Sequence, residues 1–203
     1  MAHKYKLTYL GVRGRGESTM MLLAAHGEEY EDYRVDLDKA QEETRKSPQG
    51  TLPYLTIDGN TTVAQWMAIN RYFAREFSMY GQTNLEALFI DEIVDTCVTL
   101  LEQAEKASAI RDENKKKEAV KTFTHEIAHK YLRFLESSIV SRVGEKETGF
   151  AVGSKLSLAD IMIFNVIETG RLEGELVEYP RVTVSREKVL ENERIAMWLK
   201  IRP

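Results

Sequence analysis

Hydrophobic and polar positions change rhythm near residue 80. Before it, short alternating runs are broken by glycine, proline and charge. Tyr5–Leu10 (YKLTYL) alternates and predicts a strand. Glu17–His26 predicts a helix, stopped by Gly27 just past its end. Glu31–Val35 predicts a second strand with Tyr33 and Val35 on one face, and the charged Lys39–Lys46 a short exposed helix. Tyr54–Ile57 and Thr61–Ala64 flank Asp58-Gly59-Asn60, a strong hairpin signal. Trp66–Phe77 (WMAINRYFAREF) predicts a further helix. The order strand, helix, strand, helix, hairpin, helix describes a small α/β unit.

Beyond Ser78–Asn84, read as a linker, strand signals fade. Leu85, Leu88, Phe89, Ile93, Cys97, Leu100 and Leu101 recur at three- and four-residue steps, the stripe of an amphipathic helix. Glu113–Ser138 predicts another long helix. Leu158–Ile167 (LADIMIFNVI) is apolar nearly all round, as in a helix at the centre of a bundle. Its entry, Ser157-Leu158-Ala159-Asp160, is a capping pattern in which Ser157 accepts from the first turn while Asp160 reaches back. That motif is structural. Two short helices, near Arg186–Asn192 and Ile195–Ile201, close the order, and no repeat is visible.

Composition narrows the function classes. The 203 residues carry a net charge of -4 with acids and bases interspersed, so there is no electrostatic footprint for nucleic acid or an anionic membrane. The run Asn114–Glu118 (NKKKE) reads as a solvated helix face. No apolar stretch approaches the ~20 residues of a membrane span, and the start, MAHKYKL, shows no signal-peptide core. Cys97 stands alone, which excludes an internal disulfide and points to a reducing, cytoplasmic compartment. The Asn60-Thr61-Thr62 sequon would not meet glycosylation machinery there. Histidines and the cysteine show no metal-ligand spacing, and a metal site is set aside.

The chemistry lies between the first strand and the first helix, in TYLGVRGRGES. Gly11, Gly14 and Gly16 there, with Asp36 after the second strand, have parts of a phosphate cradle. Yet the spacing is G-x-x-G-x-G, the reverse of the dinucleotide fingerprint. Two arginines also occupy the turn where the backbone should approach closely. The competing reading is a thiolate site.

Tyr5–Glu17 (YKLTYLGVRGRGE), Tyr30–Arg34 (YEDYR), Leu52-Pro53, Ile57–Gly59 (IDG), Met67–Phe77 and Ala151–Asp160 (AVGSKLSLAD) together resemble the cytosolic glutathione transferases. The likeness is to the sigma class, with its prostaglandin D synthases and cephalopod S-crystallins. It runs almost end to end with motifs in order. The resemblance implies a thioredoxin-like glutathione-binding domain over 1–79, an all-helical domain over 80–203, and a homodimer. It implies glutathione as co-substrate and a small hydrophobic electrophile as its partner.

The same resemblance implies residue roles. Tyr9 matches the tyrosine whose hydroxyl donates to the glutathione sulfur and favours the thiolate, with Arg15 as a nearby cation. A free thiol titrates near ~8.5 and each unit of lowering takes ~1.4 kcal/mol, which one charge-assisted hydrogen bond can supply. Pro53 matches a cis-proline that turns the backbone of Leu52 toward the cysteinyl moiety. Gln65 and the N–H of Trp66 match the pair that binds the γ-glutamyl carboxylate. Leu10, Val12, Arg13 and Lys106 fall on the acceptor side, and Lys106 replaces an aromatic of the prostaglandin synthases.

Several positions depart from the pattern. Ala40 and Thr44 stand where a tryptophan and a lysine hold the glycyl carboxylate, with Arg45 or Lys46 as substitutes. Trp66 replaces a serine, and Thr99 falls near an acid that crosses from the partner subunit. Three or four lost hydrogen bonds to charged groups, at ~1.5–3 kcal/mol each, rival the ~4 kcal/mol needed for millimolar binding. Two functions are therefore expected to compete: a conjugating transferase built on Tyr9, and a non-catalytic derivative of S-crystallin or ligand-carrying type.

Overall fold

Residues 3–142 and 148–202 are described by the structure, a computed structural model. The chain divides into two units: one runs to Phe77 and takes back the chain from Asn192 onward, and the other spans Ser78–Glu191.

The first unit contains β1 (Tyr5–Leu10), α1 (Arg15–His26), β2 (Tyr30–Val35), α2 (Ala40–Thr44), β3 (Tyr54–Ile57), β4 (Thr61–Ala64) and α3 (Trp66–Glu76). The four strands form one sheet in the order β2-β1-β3-β4. β1 runs parallel to β2, with Tyr5 opposite Tyr30, and antiparallel to β3, with Thr8 opposite Tyr54. A parallel pair needs a crossover, and α1 supplies it. With β1 central, its odd residues Tyr5, Leu7 and Tyr9 are buried on one face and Thr8 on the other. On the odd face the Tyr5 ring meets Phe73 of α3 edge-on at 4.9 Å, and its hydroxyl pairs with that of Tyr72 at 2.9 Å.

On the face of Thr8, the Tyr54 hydroxyl donates to Glu43 of α2 at 2.6 Å. That bond makes α2 less exposed than its charge suggested. Glu43 is buried, and hydrogen bonds from Lys46 and Tyr54 hold its carboxyl below the usual carboxylate range. The hairpin turns where expected, with Asp58 and Gly59 at φ 53° and 74°. α1 begins two residues before the predicted Glu17. It stops at Gly27, whose left-handed backbone returns its N–H to Leu23 and Ala24.

The second unit is helical: α4 (Asn84–Ser108), α5 (Glu113–Thr122), α6 (Ala128–Arg142), α7 (Leu158–Gly170) and α8 (Pro180–Leu190). α7 is buried from Leu158 to Ile167 and packs on α4, α8 being its other large neighbour. Its capping box forms as the sequence indicates. Asp160 accepts from the N–H of Ser157 at 2.9 Å and the Ser157 hydroxyl at 2.8 Å. It also accepts from Ala151 N–H at 2.7 Å and the Ser185 hydroxyl at 2.8 Å, so it ties α7 to α8 and to the loop before it. Burial pushes the Asp160 carboxyl up, and these four donors oppose that shift.

Helical details differ from the pattern reading, beginning with α8, which runs over Pro180–Leu190 where a helix near Arg186–Asn192 was expected. The stripe of α4 buries Ile90, Ile93, Val94, Cys97, Leu100, Leu101, Ala104 and Ala107, whereas Leu85 and Leu88 are 58% and 61% exposed. At ~100° per residue, Leu88 lies about half a turn round the axis from Cys97. The predicted helix over Glu113–Ser138 is interrupted by a π-turn at Phe123–Ile127, which separates α5, with no buried residue, from α6. A 3₁₀ turn, Glu173–Glu178, precedes α8 and was not expected.

The last helix, α9 (Glu193–Ile201), packs against α1 in the first unit. The resemblance places it in the helical domain over 80–203, while its contacts group it with the first unit through α1. No described helix is long and apolar enough to cross a membrane.

Candidate functional site

Tyr9 stands next to last in β1, and the chain then turns through Gly11–Gly14 into α1. The first N–H groups of a helix lack partners within it. One of them is used here: the Arg15 N–H donates to the Tyr9 hydroxyl oxygen at 3.1 Å. The tyrosine is only 6% exposed, and its hydroxyl reaches the loop at the start of α1. An oxygen that accepts from an amide becomes a stronger donor through its own hydrogen, because hydrogen-bond chains polarise one another. The fit is tight. A Cβ on Gly16 would lie 2.4 Å from the Tyr9 ring, and one on Gly14, at φ 151°, would lie 3.0 Å from the hydroxyl.

Beneath the ring, Leu7, Tyr9 and Met20 form an apolar cluster against which Tyr30, Leu52 and Trp198 pack. Tyr9, Arg15 and Leu52 are thus brought together. Leu52 is joined to the buried Pro53 by a cis peptide bond at the entry to β3. The Gln65 side chain donates to Gln49 in the loop before Leu52, linking that loop to the start of α3. Gln65 itself sits at φ 72°, ψ 97° as the N-cap of α3. A non-glycine residue in that region stores about 1–3 kcal/mol, a pattern that clusters at ligand clamps.

Trp66 is 7% exposed and belongs to the buried face of α3, with Ile69, Asn70, Phe73 and Ala74. Its indole serves packing, which leaves the backbone at the helix start as the part of Trp66 suited to a carboxylate. Arg45 caps the C-terminal end of α2 and is exposed, with Lys46 paired to Glu43 at 2.8 Å. Thr99, in the second unit, donates to the Asp95 carbonyl of its own helix at 2.9 Å. Among the described residues no group of three His, Cys, Asp or Glu side chains could hold a metal ion.

Sequence reasoning passed over Glu17, Gln49, Trp198 and Arg202. Glu17 had a signal, a carboxylate on the apolar side of a helix, that asks for a buried cation. Arg202, 185 residues away, answers it at 2.6 Å. Nothing local in the sequence announces that pairing.

Comparison with known proteins identifies the family and the fold. The family models for the glutathione S-transferase N-terminal and C-terminal domains match residues 5–75 and 89–202. The chain is similar to S-crystallin SL11 of Nototodarus sloanii, 32% identical over 98% of this chain and 96% of that protein. It is equally similar to glutathione S-transferase 3 of Caenorhabditis elegans, 32% identical over 100% of this chain and 98% of that one. Among solved structures, a sigma class transferase of Fasciola hepatica superposes with a TM-score of 0.85 at 26% identity, covering 99% of this chain and 97% of the other.

Proposed function

The chain belongs to the glutathione S-transferase family, and on that premise we propose that it conjugates glutathione to small hydrophobic electrophiles through Tyr9. The observation that carries this reading is the Tyr9 hydroxyl, held by the Arg15 N–H at the mouth of α1. In the proposed reaction that hydroxyl donates to the glutathione sulfur, and the Arg15 side chain adds a cation. The thiol proton leaves to solvent, the sulfur attacks carbon, and the leaving group departs with the bonding pair. With a chloronitrobenzene a C–S bond forms, a C–Cl bond breaks and chloride is released. Leu52 presents its backbone to the cysteinyl moiety beside Pro53. Gln65 and the Trp66 N–H take the γ-glutamyl carboxylate, and Arg45 the glycyl carboxylate.

Detoxification is the role that follows from such chemistry. A cytoplasmic setting goes with it, supported by the single buried thiol of Cys97, whose burial pushes its ionisation upward and keeps it unreactive. A homodimer completes the reading, supported by Leu85 and Leu88, apolar side chains left exposed on α4.

Tyr9→Phe tests the assignment. Conjugation of a chloronitrobenzene should fall about a hundredfold, the loss typical of one donor to a developing anion, while glutathione retention barely changes. Equal turnover by the variant would remove Tyr9 from the mechanism. A non-catalytic role of S-crystallin type is the second reading, favoured by Ala40, Thr44 and Thr99 in place of binding groups. Wild-type protein that neither turns over nor retains glutathione would select it.

A further inference from the structure

α9 lies antiparallel along α1 and grips it at both ends. At its start, the Arg194 guanidinium donates to the His26 carbonyl in the last turn of α1. Gly27 makes room for that contact, since a Cβ there would lie 2.6 Å from the guanidinium. Just past its end, Arg202 donates to Glu17 in the first turn of α1 at 2.6 Å, with the two side chains 7% and 3% exposed. Between these points Trp198 packs on the cluster that holds Tyr9, and the Arg202 guanidinium lies 5.7 Å from the centre of its ring.

Glu17 is not a remote anchor. Its N–H bonds the Gly14 carbonyl at 3.1 Å, closing the turn that contains the Arg15 N–H. Burial pushes the Glu17 carboxyl up, and Arg202 first, then Arg34 and Arg13, oppose that shift. Removing the closest cation would strand a buried carboxyl inside this turn.

We propose that α9 is a clasp on α1 and that Arg202 is a positioning residue for the conjugation, setting the Arg15 N–H against Tyr9 through Glu17. The inference rests on the transferase reading for its kinetic consequence, and on packing alone for its structural one. The full chain is compared as wild type, Arg202→Met, Arg202→Lys and the double variant Glu17→Gln/Arg202→Met. Arg202→Met should speed amide hydrogen exchange at Arg15 about tenfold, as for a local opening, while Leu7 in β1 keeps its protection. It should lower kcat about tenfold and leave KM for glutathione within about twofold, the mark of an interaction made chiefly in the transition state. Arg202→Lys should recover most of both.

Unchanged exchange at Arg15, or equal acceleration at Arg15 and Leu7, would overturn the clasp, as would an unchanged kcat in Arg202→Met. If that variant does not fold, the double variant, with no stranded charge, decides by the same exchange comparison. Wild-type protein without conjugating activity would sink the transferase reading, and the exchange at Arg15 would still decide the clasp.

Discussion

At residue scale, one aromatic ring and two glycines set the terms. Helix propensity alone favours Gly16→Ala by about 1 kcal/mol, since alanine costs less backbone entropy. The added methyl would lie 2.4 Å from the Tyr9 ring, however, and overpacking of that kind costs about 1–3 kcal/mol. The clash wins. Gly16→Ala should therefore lower the urea midpoint and cut conjugation by about tenfold or more without altering residue 9, because small misplacements at a reacting centre are costly. A gain in stability with full activity would show that the ring can step aside. Tyr9 and its glycine loop were legible in the sequence as a motif. The acceptor role of its hydroxyl was not, because it depends on where the first amide of α1 falls.

At element scale, α7 shows local rules and tertiary structure agreeing. Ser157 and Asp160 were readable as a capping box because both partners lie within one turn. The reach of Asp160 to Ala151 and Ser185 was not readable, because it joins separate elements. Asp160→Ala deprives four donors of one acceptor and should cost about 3 kcal/mol or more, measured by urea unfolding. Ser185→Ala should cost only about 1 kcal/mol. A loss below that in the alanine variant at 160 would mean that the donors find other acceptors. The stripe of α4 was drawn too far toward its start, since three- and four-residue spacing admits Leu85 and Leu88 until the helix's angular face is known. The π-turn at Phe123–Ile127 was invisible for a related reason: an inserted residue inside a helix leaves the chain helical on either side.

At the scale of the whole molecule, the exposed pair on α4 is where the proposed homodimer is tested. Leu88→Glu should shift the mass seen by light scattering from dimer toward monomer, since a charge at an apolar interface is left unpaired. An unchanged dimer would move the interface elsewhere. The return of α9 to the first unit has a consequence for how the protein is made. Glu17 leaves the ribosome 185 residues ahead of Arg202. At translation rates of about 5–20 residues per second, the young α/β unit waits on the order of ten to forty seconds for its clasp. Throughout that interval Tyr9 already exists on the nascent domain, and on the clasp proposal its partner amide at Arg15 is set only after the helical unit has been spelled out behind it.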